Sequence, residues 1–262
     1  MPDLSQTQPF AFTCEGGLVK SRSTFIMQPG QALELLNFEP DIEGGYRRIN
    51  GFKKYVNHIV PETSASTEKV LMTAFFNNNI VAARGEKIWT SASTELAVAI
   101  ASGSGMTGSG TITVDSTSGF SSSGTIQISS EIFTYTGKTA TTLTGVTRAT
   151  SSTSAADHAI DDTISESWTV RDTGRTSASK YNFERFNYDG NDKIIVVDGA
   201  NDPTVFNTSF TATDVTESSV EGAKYVASFR EHMFYAGMSS TPQEVVFSQP
   251  FDEDAFGSGA GS

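Results

Sequence analysis

The sequence predicts an all-β protein, and three observations carry the prediction. Short apolar stretches with a period of two recur between turn-forming residues, in units spaced roughly 40 residues apart. The composition, with 23 Gly, 18 Phe and only 18% charged residues in 262, and rich in Ser and Thr, favours strands and turns over helical bundles. A self-contained pattern of strands and turns at 111–164 interrupts the recurring units. Together these give propeller-like repeated antiparallel sheets with an inserted small β-domain.

Residues 1–60 read as an extended N-terminal arm leading into the first blade. The start, MPDLSQTQPF, lacks the basic residues and apolar run of a signal peptide. Cys14 is the single cysteine, so no intrachain disulfide is expected. The glycines of Glu15-Gly16-Gly17-Leu18, Gly30 and Gly44-Gly45 suit tight turns, and Gln31 to Leu36 is predicted as a single helical turn. Arg47, Arg48, Lys53 and Lys54 form the one basic cluster, and Arg47 and Arg48 are candidate subunit-contact residues.

Residues 61–100 plus 166–262 form the propeller-like host. Its first unit is Val70–Phe76, an Asn77-Asn78-Asn79 turn, Ile80–Ala83, an Arg84-Gly85-Glu86 turn and Lys87–Thr90. The second is Phe183–Tyr188, a turn at 189–192, Lys193–Val197, a turn at 198–203 and Thr204–Asn207. The third is Tyr225–Phe229, Arg230-Glu231, His232–Ala236, a Gly/Ser/Pro turn at 237–242 and Glu244–Ser248. Phe75, Phe76, Tyr181, Phe183 and Phe186 are candidates for core or interface. A closed propeller needs at least four blades, so the sequence is expected to continue into further blades.

Residues 101–165 are the insert. Thr111 to Asp115 alternate with Ile112 and Val114, Gly119 and Gly124 bracket a serine-rich turn, and Ile126, Ile128, Ile132 and Tyr135 resume the period of two. Gly137-Lys138 makes a turn, Leu143 and Val146 lie in a further extended stretch, and the last strand is expected around Ile160 to Ile164. With the insert removed, Lys87–Thr90 and Ser167–Val170 are expected in neighbouring strands, which places the insert in an exposed turn of the host. Ala101-Ser102-Gly103-Ser104-Gly105 reads as a flexible lead-in, and the glycines of 103–110 and 257–261 as linkers.

The stretch GFSSSGTIQISSEIFTYTGKTATTLTGVTRAT, residues 119–150, followed by His158-Ala159, resembles a small domain embedded in tail and virion proteins of bacteriophages, where a glycine stands at the position of Ala149. Around it, the string running from Gly16-Gly17-Leu18 through Gly30, Ala32, Leu35 and Asn37 to Gly44-Gly45-Tyr46-Arg47-Arg48 and Gly51 resembles the start of phage tail-hub and nozzle-type proteins. The resemblance implies a non-enzymatic structural subunit of a phage particle, a tail hub, nozzle or head-to-tail adaptor. Its partners would be further copies in a homo-oligomeric ring and neighbouring tail or adaptor virion proteins. It also implies location in the virion after assembly in the host cytoplasm.

Charge and motifs fit that expectation. The formal net charge of −12 argues against a nucleic-acid-binding surface, which needs clustered Lys and Arg, and suits a lumen through which DNA passes without specific binding. No stretch is apolar for long enough to cross a membrane as a helix, so no membrane partner is expected. His58, His158 and His232 are scattered, with His158 read as a turn residue of the insert and His232 as half-exposed at a strand start. No nucleophile-elbow, phosphate-loop or dinucleotide motif is present, so no cofactor, metal or catalytic residue is expected. Asp189–Asp192 and Asp198–Asp202 lack a full calcium-ligand series and read as hairpin turns. Phe251 and Phe256 flank three carboxylates in a candidate contact loop. The alternative function is a host-surface adhesin of the phage tail, with Tyr135 and Trp168 as candidate glycan contacts.

Overall fold

The computed structural model describes residues 16, 18–20, 26–28, 30–40, 46–51, 53–62, 68–176 and 180–257; Cys14 and most of the terminal glycine run lie outside them. The protein is all-β, with several antiparallel sheets and no helix; a closed propeller is not formed by the described residues. The chain divides into two compact units, Met1–Lys53 and Lys54–Ser262.

The first unit holds one small sheet, β1 (Phe38–Pro40) paired antiparallel with β2 (Tyr46–Arg48). Upstream, Leu18 and Ala32 form an isolated parallel bridge. The helical turn expected at Gln31 to Leu36 is absent: Ala32 is extended and its carbonyl accepts from the Val19 amide. That pairing across the chain satisfies the backbone where a single turn, with its costly nucleation, would not. No described side chain of this unit joins a hydrophobic core cluster.

The second unit begins with β3 (Val70–Phe76), β4 (Asn79–Arg84) and β5 (Lys87–Glu95), an antiparallel meander. Its first turn is Asn77-Asn78 with φ of 44° and 58°, the left-handed pair that two-residue hairpins require and asparagine tolerates. The insert follows as β6 (Thr107–Thr113), β7 (Gly124–Ile128), β8 (Glu131–Tyr135), β9 (Gly137–Lys138), β10 (Thr142–Thr147) and β11 (Thr163–Glu166). The chain then re-enters the first sheet as β12 (Thr169–Asp172), where Val170 lies opposite Trp89 and Thr169 opposite Thr90. The two edges of the insert are therefore neighbouring strands.

β5 is longer than expected and serves two sheets along one edge. Its first half pairs with β12, while Ser93, Thr94 and Glu95 pair with Ser165, Ile164 and Thr163 of β11. The strand order runs β3-β4-β5-β11-β7-β8-β10-β6 without a break. The insert's last strand lies at Thr163–Glu166 rather than around Ile160, which is exposed. Leu96, Ile112, Phe120, Ile126, Ile128, Phe133, Leu143 and Ile164 form the insert's own core.

Beyond it come β13 (Asn182–Tyr188), β14 (Asn191–Val197), β15 (Thr204–Asn207) and β16 (Ala212–Asp214), a four-stranded sheet. The last sheet is three-stranded: β17 (Tyr225–Phe229), β18 (His232–Ala236) and β19 (Val245–Phe247). The continuous apolar run Ile194-Ile195-Val196-Val197 explains the stacking, because successive residues of a strand point to opposite faces. Ile194 and Val196 pack with Met72, Phe76 and Val81 of the first sheet. Ile195 and Val197 pack with Met233, Tyr235 and Val246 of the third. The middle sheet is thus buried on both faces.

Candidate functional site

Two features stand out: the anchorage of the insert, and the uncovered face at the far end of the stacked sheets. The anchorage is built where β11 leaves the insert. Glu166, at the end of β11, is buried, and its Oε1 lies 2.6 Å from the Tyr135 hydroxyl and 3.1 Å from the Ser121 amide, both of which donate to it. Burial, then the Glu166 carboxylate, pushes the Tyr135 phenol up, so it stays a neutral donor. The carbonyl of Glu166 accepts from Ser91 Oγ at 2.6 Å, which ties the insert to β5.

An extended segment, residues 54–62, clips this junction. The Asn57 amide donates to Ser165 Oγ at 2.8 Å, and its side-chain Nδ2 donates to the carbonyls of Thr163 and Gln127 at 2.6 and 3.1 Å. On the opposite side of the insert, Asn78 Nδ2 donates to Ser118 Oγ at 2.7 Å and Asn79 Nδ2 to the Gly119 carbonyl at 3.2 Å. The hairpin turn of the first sheet therefore holds the serine-rich turn of the insert.

Inside the insert, Glu131 is fully buried at the start of β8. It accepts from Arg148 Nε and Nη2 at 2.9 and 2.8 Å, from the Ala149 and Ala156 amides at 3.1 and 3.0 Å, and from His158 Nε2 at 2.8 Å. Burial alone would raise this carboxyl; the Arg148 hydrogen bonds, the Ala156 amide and His158 outweigh it and hold it down to about 2. Arg148 Nη1 also donates to the carbonyls of Ala101 and Ser104, at 2.7 and 3.3 Å. The lead-in read as flexible is thus fastened, and Gly108 and Gly110, read as linker, lie in β6. His158, read as a turn residue, is a buried member of this network.

A second buried arginine ties the first sheet to the second. Arg175 Nη2 donates to Asp198 Oδ2 at 2.8 Å, while Nη1 donates to Asp172 Oδ2 and Thr204 Oγ1 at 2.8 and 2.6 Å. Asp198 also accepts from the Ala200 and Asn201 amides, so the 198–202 run is a turn anchored on an arginine. Asp189-Gly190, with φ of 53° and 78°, is the two-residue turn between β13 and β14. Among the described residues no group of three or more His, Cys, Asp or Glu side chains is placed to hold a metal ion.

The candidate contact residues fall in different surroundings. Arg47 donates through Nε to Glu39 Oε1 at 2.7 Å, both side chains exposed, and Arg48 is exposed beside it on β2. Phe251 is exposed, with its ring edge-on to Tyr188 at 6.5 Å, whereas Phe256 is half-buried against Tyr235 at 5.7 Å. Tyr135 is overturned as a glycan contact: only 2% of it is exposed and its hydroxyl is spent on Glu166. Trp168 is half-buried, and its indole N–H donates to the His58 carbonyl at 3.1 Å. Phe76, Tyr181 and Phe186 are core; Phe75 and Phe183 are exposed. His232 starts β18 half-buried and donates from Nδ1 to the Ser248 carbonyl at 2.6 Å.

The uncovered face is the feature the sequence reading missed. On the outer side of β17–β19, Tyr225, Ala236 and Val245 form one cross-strand row and Ala227, Phe234 and Phe247 the next, with Phe229 opposite His232. Tyr225, Phe229 and Val245 are 58%, 62% and 51% exposed. The signal was available: in YVASF, HMFYA and VVF both parities are apolar, which marks strands meant for burial on two sides.

No protein-family model matches the chain, and no curated protein or solved structure is similar to it.

Proposed function

We propose that the protein is a non-enzymatic structural subunit of a bacteriophage particle, a tail hub, nozzle or head-to-tail adaptor that assembles as a ring around the DNA path. The observation that supports this most is the stack of consecutive antiparallel sheets, packed face to face through alternate residues as propeller blades pack, with an insert fastened between the third and fourth strands of the first. The phage-type motif string of the insert and the glycine-rich N-terminal string agree with it. The work of such a subunit is mechanical. Buried ion pairs at Glu131–Arg148 and Asp198–Arg175 and the Asn57 clip make the insert a strut at a fixed angle, suited to bearing on a neighbouring virion protein. An acidic surface, from a net charge of −12, lets DNA pass without adhering.

Electron microscopy of the particle with this protein labelled, together with native mass spectrometry of the isolated protein, tests the reading. A closed ring on the tail axis is the expected result; isolated trimers or monomers at fibre tips overturn it.

A further inference from the structure

Two apolar surfaces of this chain are left open, and they lie in different compact units. One is the outer face of β17–β19, on which Tyr225, Phe229 and Val245 are more than half exposed and whose rows contain no Lys, Arg, Asp or Glu. An exposed face of contiguous aromatic and aliphatic side chains marks an interaction surface rather than ordinary solvated sheet.

The other end of the stack shows how this chain covers such a face. The outer side of the first sheet is covered not by strands but by the extended segment 54–62. Tyr55 sets its ring edge-on to Phe75 at 5.8 Å, Val60 packs with Ala82 and Trp89, and the His58 carbonyl takes the Trp168 indole proton. The occupant of an end face in this architecture is an extended segment with apolar side chains at intervals.

The N-terminal unit has that chemistry. Leu18, Ile26, Leu33, Leu36 and Phe38 are 46%, 63%, 44%, 74% and 49% exposed, and none joins a core cluster. A lone two-stranded sheet is marginal in water, so a unit built on one gains its stability by lying against another surface. Charge is in keeping: residues 1–53 carry 5 Lys and Arg against 6 Asp and Glu, while residues 54–262 carry 13 against 24. A nearly neutral arm with Arg47 and Arg48 meets an acidic body without the repulsion that two bodies would feel.

We infer that the outer face of β17–β19 receives the N-terminal unit of a second copy of this chain. The link is head-to-tail, since it joins different surfaces of the two copies, and successive links of this kind close into a ring when the rotation allows. The inference deepens the ring reading and rests on it for closure alone.

Sedimentation equilibrium of the full chain and of two variants at exposed positions, Leu36→Asp and Phe229→Asp, tests the link. The parent chain is expected to self-associate with concentration, and each variant alone to weaken association on the order of 100-fold, as loss of a central apolar anchor does. An equimolar mixture of the two variants is expected to recover dimers and nothing larger. In that mixture the intact arm of the Phe229→Asp chain meets the intact face of the Leu36→Asp chain, and no further link is possible. Leu36→Ser and Phe229→Ser serve the same comparison if an aspartate perturbs folding. A parent chain that stays monomeric, a Phe229→Asp chain that associates like the parent, or a mixture that stays monomeric overturns the link. Loss of association in Phe229→Asp but not in Leu36→Asp also overturns it, in favour of face-to-face packing. These outcomes do not depend on position in the particle: a link upheld for a protein found off the tail axis removes the ring reading and leaves the link.

Discussion

At Glu131 a single carboxylate gathers five hydrogen bonds, two from Arg148, two from backbone amides and one from His158, with no exposure to water. Removing one member of such a buried pair leaves an uncompensated charge, so Glu131→Gln is expected to cost about 3–5 kcal/mol. The pH dependence follows from the direction of the shift. The folded carboxyl titrates at about 2 against an ordinary 4.5, so its contribution is complete above roughly pH 4.5 and is lost as pH falls towards 2. Urea midpoints measured from pH 7 down to pH 3 are expected to decline less steeply in the glutamine variant than in the parent. Ala149, which donates its amide to the same carboxylate, has φ of 53°. Left-handed backbone costs a residue with a Cβ about 1–2 kcal/mol, which is the physical reason the related phage modules carry glycine there. Ala149→Gly is therefore expected to raise stability by about 1 kcal/mol, read as a higher urea midpoint at unchanged slope.

Turn chemistry decides the elements, and one turn runs against its residues. The hairpins β3–β4 and β13–β14 turn on Asn77-Asn78 and Asp189-Gly190, both suited to positive φ. β17–β18 makes the same two-residue turn on Arg230 and Glu231, with φ of 47° and 69°. Neither side chain favours that region, so Arg230→Asn with Glu231→Gly is expected to gain about 1 kcal/mol in chemical denaturation. A gain would show that the flanking strands impose the turn rather than the turn residues. Much of this was legible in the sequence: the Asn-Asn and Asp-Gly turns and the doubly buried Ile194–Val197 run announce themselves through local sterics and a period of two. Tyr135 was not legible, because alternation assigns it to a face without saying which face meets a core. Nor was the second half of β5, since Ser93-Thr94-Glu95 is polar and becomes strand only because Thr163-Ile164-Ser165 arrives from 70 residues away.

In the molecule as a whole that shared strand makes one body of what the sequence divides into host and insert. Separate folding of a passenger domain requires that few contacts cross its boundary. Here β5 hydrogen-bonds to β4, β12 and β11, Glu166 and Ser91 lock the exit, Arg148 fastens the lead-in, and Asn57, Asn78 and Asn79 bridge across. Opening the insert would break all of these while exposing Leu96, Ile112, Phe133 and Ile164, each fully or almost fully buried. At about 1.5–3 kcal/mol for each large apolar side chain, that loss exceeds what a module of this size holds in reserve. The insert and the stacked sheets are thus expected to unfold together. Trp89 and Trp168 report on the first sheet by fluorescence, and amide exchange at Ile126, Phe133 and Val146 reports on the insert. Matching denaturant midpoints for the two signals are expected, and slow proteolysis at Ala101–Gly105 should accompany them. An insert that loses protection at lower denaturant, while the tryptophans stay buried, would instead be a tethered passenger and could not serve as a strut.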